Sequence, residues 1–130
     1  MSDTEHAMIT GHSALELFPG NYPQSVPVEE AATGLRYNKG KTRFDLLPPD
    51  GLEALAEVYT KGAEKYAARN WEKGLSWTEC YGSLLRHANE WAKREDRDSE
   101  SGQLHMAHVA WNAMALLTFA LRGIGTDDRA

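Results

Sequence analysis

Three polar residues share one stripe of a segment that is otherwise almost wholly apolar, LHMAHVAWNAMALLTFALR at residues 104–122. At the roughly 100° per residue of an α-helix, His105, His108 and Asn112 fall within an arc of roughly 60°. A buried polar group without a partner costs about 1–3 kcal/mol, so this stripe requires partners. Two interpretations stay open: core histidines bonded to the backbone and to one another, or side chains that bind a ligand.

A second chemistry-bearing pair, His87-x-x-Glu90, precedes this stripe by one connection. Two pairs at i, i+3 on adjacent antiparallel helices project four ligating side chains into one space, as in the metal sites of helical bundles. Imidazole and carboxylate ligands suit Mn²⁺, Zn²⁺, Fe²⁺ or Co²⁺. For Glu90 the alternative is an exposed ion pair with Arg94, four residues on.

Further carboxylates lie on both sides of these pairs. The connection REDRDSESG carries four, of which Asp98 stands out because it lies just before the third helix, close to the start of the polar stripe. The first helix adds Glu53, Glu57 and Glu64 within a roughly 40° arc, which is typical of a solvated face. Glu64 stands out because it belongs to the dense string GAEKYAARNW.

Three helices are predicted to position these residues. The first covers about 50–69, with Asp50 as its cap. The second begins at Trp77, where Ser76 and Glu79 form a capping box, and ends near Glu95. The third opens at Ser101 or Gly102 and stops at Gly123. No strand pattern is present, so the sequence predicts an all-α helical bundle.

The predicted organisation is an irregular N-terminal arm at residues 1–33, a helical domain at 34–123 and a tail at 124–130. Three prolines and a glycine within nine positions disfavour regular structure in the arm. Lys39, Lys41 and Arg43 alternate along NKGKTRF, so an extended chain would project them on one side. A soluble basic linker and a phosphate clamp both fit this segment.

Composition bounds the class of protein. The chain has 130 residues, of which 42% are hydrophobic and 25% charged, and this suits one soluble domain. A net charge of −5 argues against a nucleic-acid-coating protein and means that an anionic ligand needs local basic groups or a metal. The single cysteine, Cys80, excludes a disulfide framework. Without a basic n-region or an apolar run of about 18 residues, we expect a cytoplasmic protein that does not span a membrane.

Four segments in order resemble the phage dATP/dGTP diphosphohydrolases, which are MazG-like all-α nucleotide pyrophosphohydrolases. The segments are YNKGKTRFDLLPP, GAEKYAARNWEKG, LLRHANEW with REDRDSESG, and HMAHVAWNAMALL. The resemblance covers about residues 35–122. It implies a MazG-like helical bundle that hydrolyses a purine deoxynucleoside triphosphate to the monophosphate and pyrophosphate with Mn²⁺ or Mg²⁺, or with Co²⁺. If the protein is phage-encoded, it would act in the host cytoplasm.

The resemblance also implies site residues. MazG-like enzymes carry E-x-x-E and E-x-x-D pairs that hold the metal, and His87 with Glu90 and His105 with His108 align to them. Three of these four positions depart from the acidic pattern, so Glu64, Glu95 and Asp98 are expected to supply carboxylates. The implied metal ligands are five residues: His87, Glu90, Asp98, His105 and His108. Glu64 or Glu90 would take the proton of the attacking water.

The substrate is expected to meet basic, amide and aromatic side chains. These are Lys39, Lys41, Arg43, Lys65, Asn70, Trp71, Arg86 and Asn112. Trp71 or Tyr66 would stack on the purine, although core packing is the alternative for Trp71. Polar interior stripes leave little apolar core, so we expect a homodimer or homotetramer that meets through Trp77, Tyr81 and Leu85.

The residues bear on two other classes of function. An HD-type phosphohydrolase needs a His-Asp dipeptide, and none occurs here. A small helical binding or regulatory protein without enzymatic activity fits an acidic one-domain chain and stays the alternative.

Overall fold

The computed structural model describes residues 33–130, and this part of the chain is all-α, which confirms the predicted fold class. Its helices are α1 (Pro49–Tyr66), α2 (Trp77–Ala92) and α3 (His105–Arg122), and two short 3-10 helices cover Phe44–Leu46 and Asn70–Lys73. No strand occurs over these residues. The prediction of an irregular arm at 1–33 lies, except for its last residue, outside the described part. No helix within 33–130 is long and apolar enough to cross a membrane.

The described chain divides between residues 46 and 47 into two units. The first, at 33–46, holds the basic segment. Within it Gly40 turns the chain at a φ of +81°, and Arg43 binds Asp45 through nitrogen–oxygen contacts of 3.1 and 2.6 Å. The second unit, at 47–130, holds all three α-helices. The division therefore lies inside the domain predicted over 34–123.

The start of α2 and the end of α3 confirm the local sequence signals. Ser76 is the N-cap of α2, and its hydroxyl accepts a hydrogen bond from the Glu79 amide at 3.2 Å. Gly123 ends α3 in the left-handed conformation at a φ of +66°. The predicted end of α2 near Glu95 was three residues too late, because the chain leaves the helix after Ala92 and Arg94 takes a φ of +68°.

The other helix ends differ from the prediction. Asp50 does not cap α1: Pro48 occupies the N-cap position and Pro49 the first turn, where a missing N–H costs nothing. The helix ends at Tyr66 instead of 69, since Ala67 takes a φ of +128°. The third helix begins at His105 and not at Ser101 or Gly102, because the chain before it folds back on itself. There the Asp98 amide donates to the Gln103 carbonyl at 2.8 Å.

The core lies where α3 packs against both α1 and α2. Phe119 of α3 is fully buried, together with Ala115 and Cys80. Half-buried apolar side chains surround this group: Trp71, Leu75, Trp77, Trp111, Leu116 and Ile124. This core fixes the C-terminal half of α3 against the start of α2. The N-terminal half of α3, with its polar stripe, lies beside the later part of α2, where His105 meets His87.

The segment predicted as a tail is bonded to the start of α2. Thr126 donates from its amide to the Leu75 carbonyl at 3.1 Å and accepts from the Trp77 amide at 3.0 Å. Asp128 accepts from the Ser76 hydroxyl at 2.6 Å and from the Thr78 amide at 2.9 Å. Residues 124–128 thus close the N-terminal end of α2.

Candidate metal and nucleotide site

Three side chains from three parts of the second unit converge on one point. His87 comes from α2, His105 from the first residue of α3, and Asp98 from the connection between them. Each offers a ligand atom, and these atoms lie within 4.8 Å of one another. Both histidines are at least nine-tenths buried, with 9% and 5% of their surface exposed. The arrangement can hold one metal ion, and we call it the His–Asp cluster.

The imidazoles of the site are closely stacked and bonded. The Nδ1 atoms of His87 and His105 are 2.8 Å apart, so one donates a proton and the other accepts it. The ring of His108 lies parallel to that of His87, at a centroid distance of 4.5 Å. Burial lowers the pKa of both His87 and His108. The neutral imidazole is the form that binds metals.

The carboxylate of the cluster is held ionised by its own loop. Asp98 Oδ2 accepts from the amide of Ser101 at 3.1 Å and from its hydroxyl at 2.9 Å. Partial burial raises the pKa of Asp98, but these hydrogen bonds outweigh it and hold the pKa below its ordinary value. The cluster therefore combines one negative oxygen ligand with neutral nitrogen ligands.

A cavity of about 1700 Å³ contains the His–Asp cluster in its wall. Basic side chains are frequent around it: Lys61, Lys65, Arg69, Arg86, Lys93 and Arg97. Acidic residues also line it: Glu90, Glu95, Asp98 and Glu100. The volume accommodates a ligand larger than most drug-sized molecules, and the cations suit a ligand with several negative charges.

The structure brings most of the predicted site residues to this cavity. Those that line it from the metal set are His87, Glu90, Asp98, His105 and His108. Those from the substrate set are Lys65, Asn70, Trp71, Arg86 and Asn112. Lys39, Lys41 and Arg43 belong to the unit at 33–46, and their contact with substrate stays a prediction.

Glu64 lies apart from this group. It is exposed and lines a smaller cleft of about 430 Å³ on α1 with Glu57, Lys61 and Arg97. Its role as proton acceptor stays a prediction from the resemblance.

Glu90 is paired, but not with the expected residue. Its Oε1 lies 2.8 Å from Nζ of Lys93, whereas Arg94 follows the end of α2. The hydrogen bond from Lys93 lowers the pKa of Glu90. A lowered pKa keeps this carboxylate ionised and makes it a weaker general base.

The Trp71 ring is in contact with two arginines and a tyrosine. The guanidinium carbons of Arg69 and Arg122 lie 5.8 and 5.2 Å from its ring centroid, and Tyr59 meets it edge-on at 6.2 Å. Glu72 bonds both arginines, and their hydrogen bonds lower its pKa to about 2. These contacts favour core packing for Trp71, while Tyr66 is 62% exposed.

Ser101 was missed as a site residue. Its hydroxyl also lies 2.9 Å from His108 Nε2. Ser101 was predicted to open the third helix. Only its spacing from Asp98, Asp98-x-x-Ser101, is typical of a side chain that bonds a nearby backbone amide and indicates its role.

The chain is similar to a known protein family and to a phage protein. Residues 31–129 match the family described as dATP/dGTP diphosphohydrolase, N-terminal. A protein of Salmonella phage PMBT28 named dATP/dGTP diphosphohydrolase is 33% identical over 97 residues, or 75% of this chain. The chain spans about a third of the length of this relative, 33%. No solved structure matches.

Proposed function

Because the chain belongs to the dATP/dGTP diphosphohydrolase N-terminal family, we propose that it carries the nucleotide and metal site of an enzyme acting on purine deoxynucleoside triphosphates. The reaction would release the monophosphate and pyrophosphate from dATP or dGTP. The observation that carries the proposal is the His–Asp cluster within the wall of a large cavity lined by cations.

A divalent metal fits the donor set. His87, His105 and Asp98 would hold it, with His108 and Glu90 lining the same cavity. When bound, it would neutralise phosphate oxygens and lower the pKa of an attacking water. Two imidazoles favour Mn²⁺ or Co²⁺ over Mg²⁺, which prefers oxygen ligands.

The remaining residues would bind and orient the nucleotide. Lys65 and Arg86 line the cavity and would neutralise phosphate oxygens. Asn70 and Asn112 offer amide groups for the purine edge. Glu90, or Glu64 from the neighbouring cleft, would accept the proton of the water.

The active form is proposed to be a homodimer or homotetramer. Tyr81 and Leu85, which the sequence indicated for the contact, are 54% and 47% exposed on α2. Trp77 is half-buried, and its indole N–H donates to the Ile124 carbonyl at 3.1 Å. We therefore propose that exposed apolar side chains of α3 form the contact, with Tyr81 and Leu85 on α2 as the alternative.

The experiment offers the protein dATP, dGTP, dCTP and dTTP with Mn²⁺ or Mg²⁺ and follows the products by ³¹P NMR. We expect pyrophosphate and a monophosphate from the purine nucleotides, faster with Mn²⁺. Release of orthophosphate, or of intact triphosphate, would refute the assignment. Glu90→Gln should slow the reaction, and the exposed Glu53→Gln is its matched control. A chain that hydrolyses none of the four would favour a binding protein.

A further inference from the structure

We propose that Ser101 is a positioning residue, which fixes His108 in one tautomer and aims Asp98 into the His–Asp cluster. The residue belongs to the connection between α2 and α3. It lies between two site residues, because its hydroxyl oxygen is 2.9 Å from Asp98 Oδ2 and 2.9 Å from His108 Nε2.

The donors around this hydroxyl leave one consistent arrangement. The Gln103 amide donates to the Ser101 oxygen at 3.2 Å, which occupies one lone pair. Asp98 is an acceptor, since the amide of Ser101 already donates to the same Oδ2. The hydroxyl proton therefore goes to Asp98, and the second lone pair accepts from His108. If the Ser101 hydroxyl donated to His108 instead, two acceptors, Ser101 Oγ and Asp98 Oδ2, would lie 2.9 Å apart with no hydrogen between them.

The consequence falls on His108. Its Nε2 carries the hydrogen, so in the neutral ring Nδ1 keeps the lone pair. A hydrogen bond on one ring nitrogen decides which nitrogen is free to bind or accept, and such partners also orient the ring. The hydrogen bonds that link Asp98, Ser101 and His108 thus leave Nδ1 as the nitrogen of His108 that can bind a ligand.

The loop holds Ser101 in place from outside the cluster. Lys61 of α1 donates from Nζ to the Ser101 carbonyl at 2.9 Å. The Gly102 amide donates to the Asp98 carbonyl at 2.7 Å, and Gly102 takes a φ of +73°. Because these bonds tie the loop to α1 and to itself, the Ser101 hydroxyl is preorganised and its two contacts do not depend on a bound ligand.

The first test reads the tautomer in the metal-free protein. Long-range ¹H–¹⁵N spectra at pH 8, with the His108 signals identified by their loss in His108→Ala, should show an Nε2–H ring. Ser101→Ala should shift these signals toward a mixture of tautomers, and Ser101→Thr should keep the wild-type pattern. A wild-type Nδ1–H ring, or an unchanged pattern in Ser101→Ala, would overturn the proposal. The wild-type spectrum alone is decisive if Ser101→Ala does not fold.

The second test rests on the proposed function and measures Mn²⁺ binding without nucleotide. Ser101→Ala should weaken Mn²⁺ binding by about 10- to 100-fold, the usual effect of losing a partner of a metal ligand. Ser101→Thr should restore it, and Ser99→Ala, at an exposed position in the same loop, is the matched control. Equal affinities in all variants would refute the part of the proposal that concerns Asp98. A wild type that binds Mn²⁺ but releases no pyrophosphate would count against the proposed reaction alone.

Discussion

His87 and His105 are hydrogen-bonded to each other through their Nδ1 atoms. The same two nitrogens are the ones that a metal ion would bind. Two Nδ1 atoms 2.8 Å apart share one proton in the metal-free protein. A cation held between them and Asp98 would take the place of that proton. His87 and His105 therefore stabilise the metal-free fold through a buried hydrogen bond and, together with Asp98, offer ligands to a metal.

Removal of one imidazole is expected to weaken metal binding strongly. His87→Ala and His105→Ala should each lower the affinity for Mn²⁺ by at least about tenfold, because a three-ligand set loses one nitrogen. Isothermal titration calorimetry measures this directly, with circular dichroism to verify the helical fold. Glu53→Gln removes an exposed carboxylate of α1 and should bind Mn²⁺ as the wild type does. If both histidine variants keep the wild-type affinity, the pair is structural.

The site could be read from the sequence only where neighbouring turns of a helix present residues together. The i, i+3 spacing of His105 and His108 made their shared face visible before any fold was known. The role of Ser101 was signalled only by its spacing from Asp98, and the pairing of Glu90 with Lys93 was missed although the two residues are at i, i+3 spacing. The contact of Ser101 with His108 depends on how the chain bends after Ala92. The same bend brings Asp98 to the cluster.

At the scale of elements, the start of α2 and the end of α3 were predicted correctly, whereas the ends of α1 and the bonds of the C-terminal residues were not. Ser76 and Gly123 mark helix ends through bonds within three or four residues, which the sequence displays. The α1 ends were misjudged because a Pro-Pro pair and Ala67 at positive φ decide them. Residues 124–128 were read as a tail, since their partners at the start of α2 lie about 50 residues away in sequence.

The close approach of two chain segments at the start of α2 requires glycine at residue 125. A methyl group at Gly125 would lie 2.6 Å from the Leu75 carbonyl oxygen and 2.9 Å from the Trp77 indole nitrogen, at a φ of +81°. Gly125→Ala should lower the free energy of unfolding by about 1–3 kcal/mol, as strained backbone positions do. Gly82→Ala is the control, because Gly82 is helical with no atom within 4 Å of the added methyl. It should raise the stability by roughly 0.5–1 kcal/mol. Urea denaturation measures both, and equal stabilities would contradict the close approach.

The carboxylate of Asp128, which bonds residues at the N-terminal end of α2, makes the stability of the protein depend on pH in the acidic range. Hydrogen bonds from the Ser76 hydroxyl and from Thr78 lower the pKa of Asp128 to about 2, against 3.8 for the unperturbed group. Because the folded pKa is the lower one, the contribution is fully present above about pH 4 and is lost as the pH falls toward 2. Asp128→Asn should therefore lower Tm at pH 6 and lose less on acidification than the wild type does. Calorimetry at pH 6, 4 and 3 tests this, and parallel curves for the two proteins would contradict it.

At the scale of the whole molecule, α3 presents two different faces. One buries Phe119 and Ala115 against α2 and carries the polar stripe into the cavity. The other leaves four large apolar side chains between 39% and 55% exposed: Met106, Met114, Leu117 and Leu121. At helical spacing these four lie within an arc of about 80°. A contiguous apolar stripe of this kind marks an interaction surface.

We expect this stripe to be the contact between copies of the chain. Leu117→Glu places a charge in its middle, and burial of an unpaired charge in an interface is costly. Light scattering coupled to size exclusion should show a dimer or tetramer for the wild type at micromolar concentration and a monomer for Leu117→Glu. Leu52→Glu, at an exposed leucine of α1 that does not belong to the stripe, should leave the mass unchanged. A monomeric wild type would refute the assembly. An oligomer that survives Leu117→Glu would move the contact to Tyr81 and Leu85 on α2.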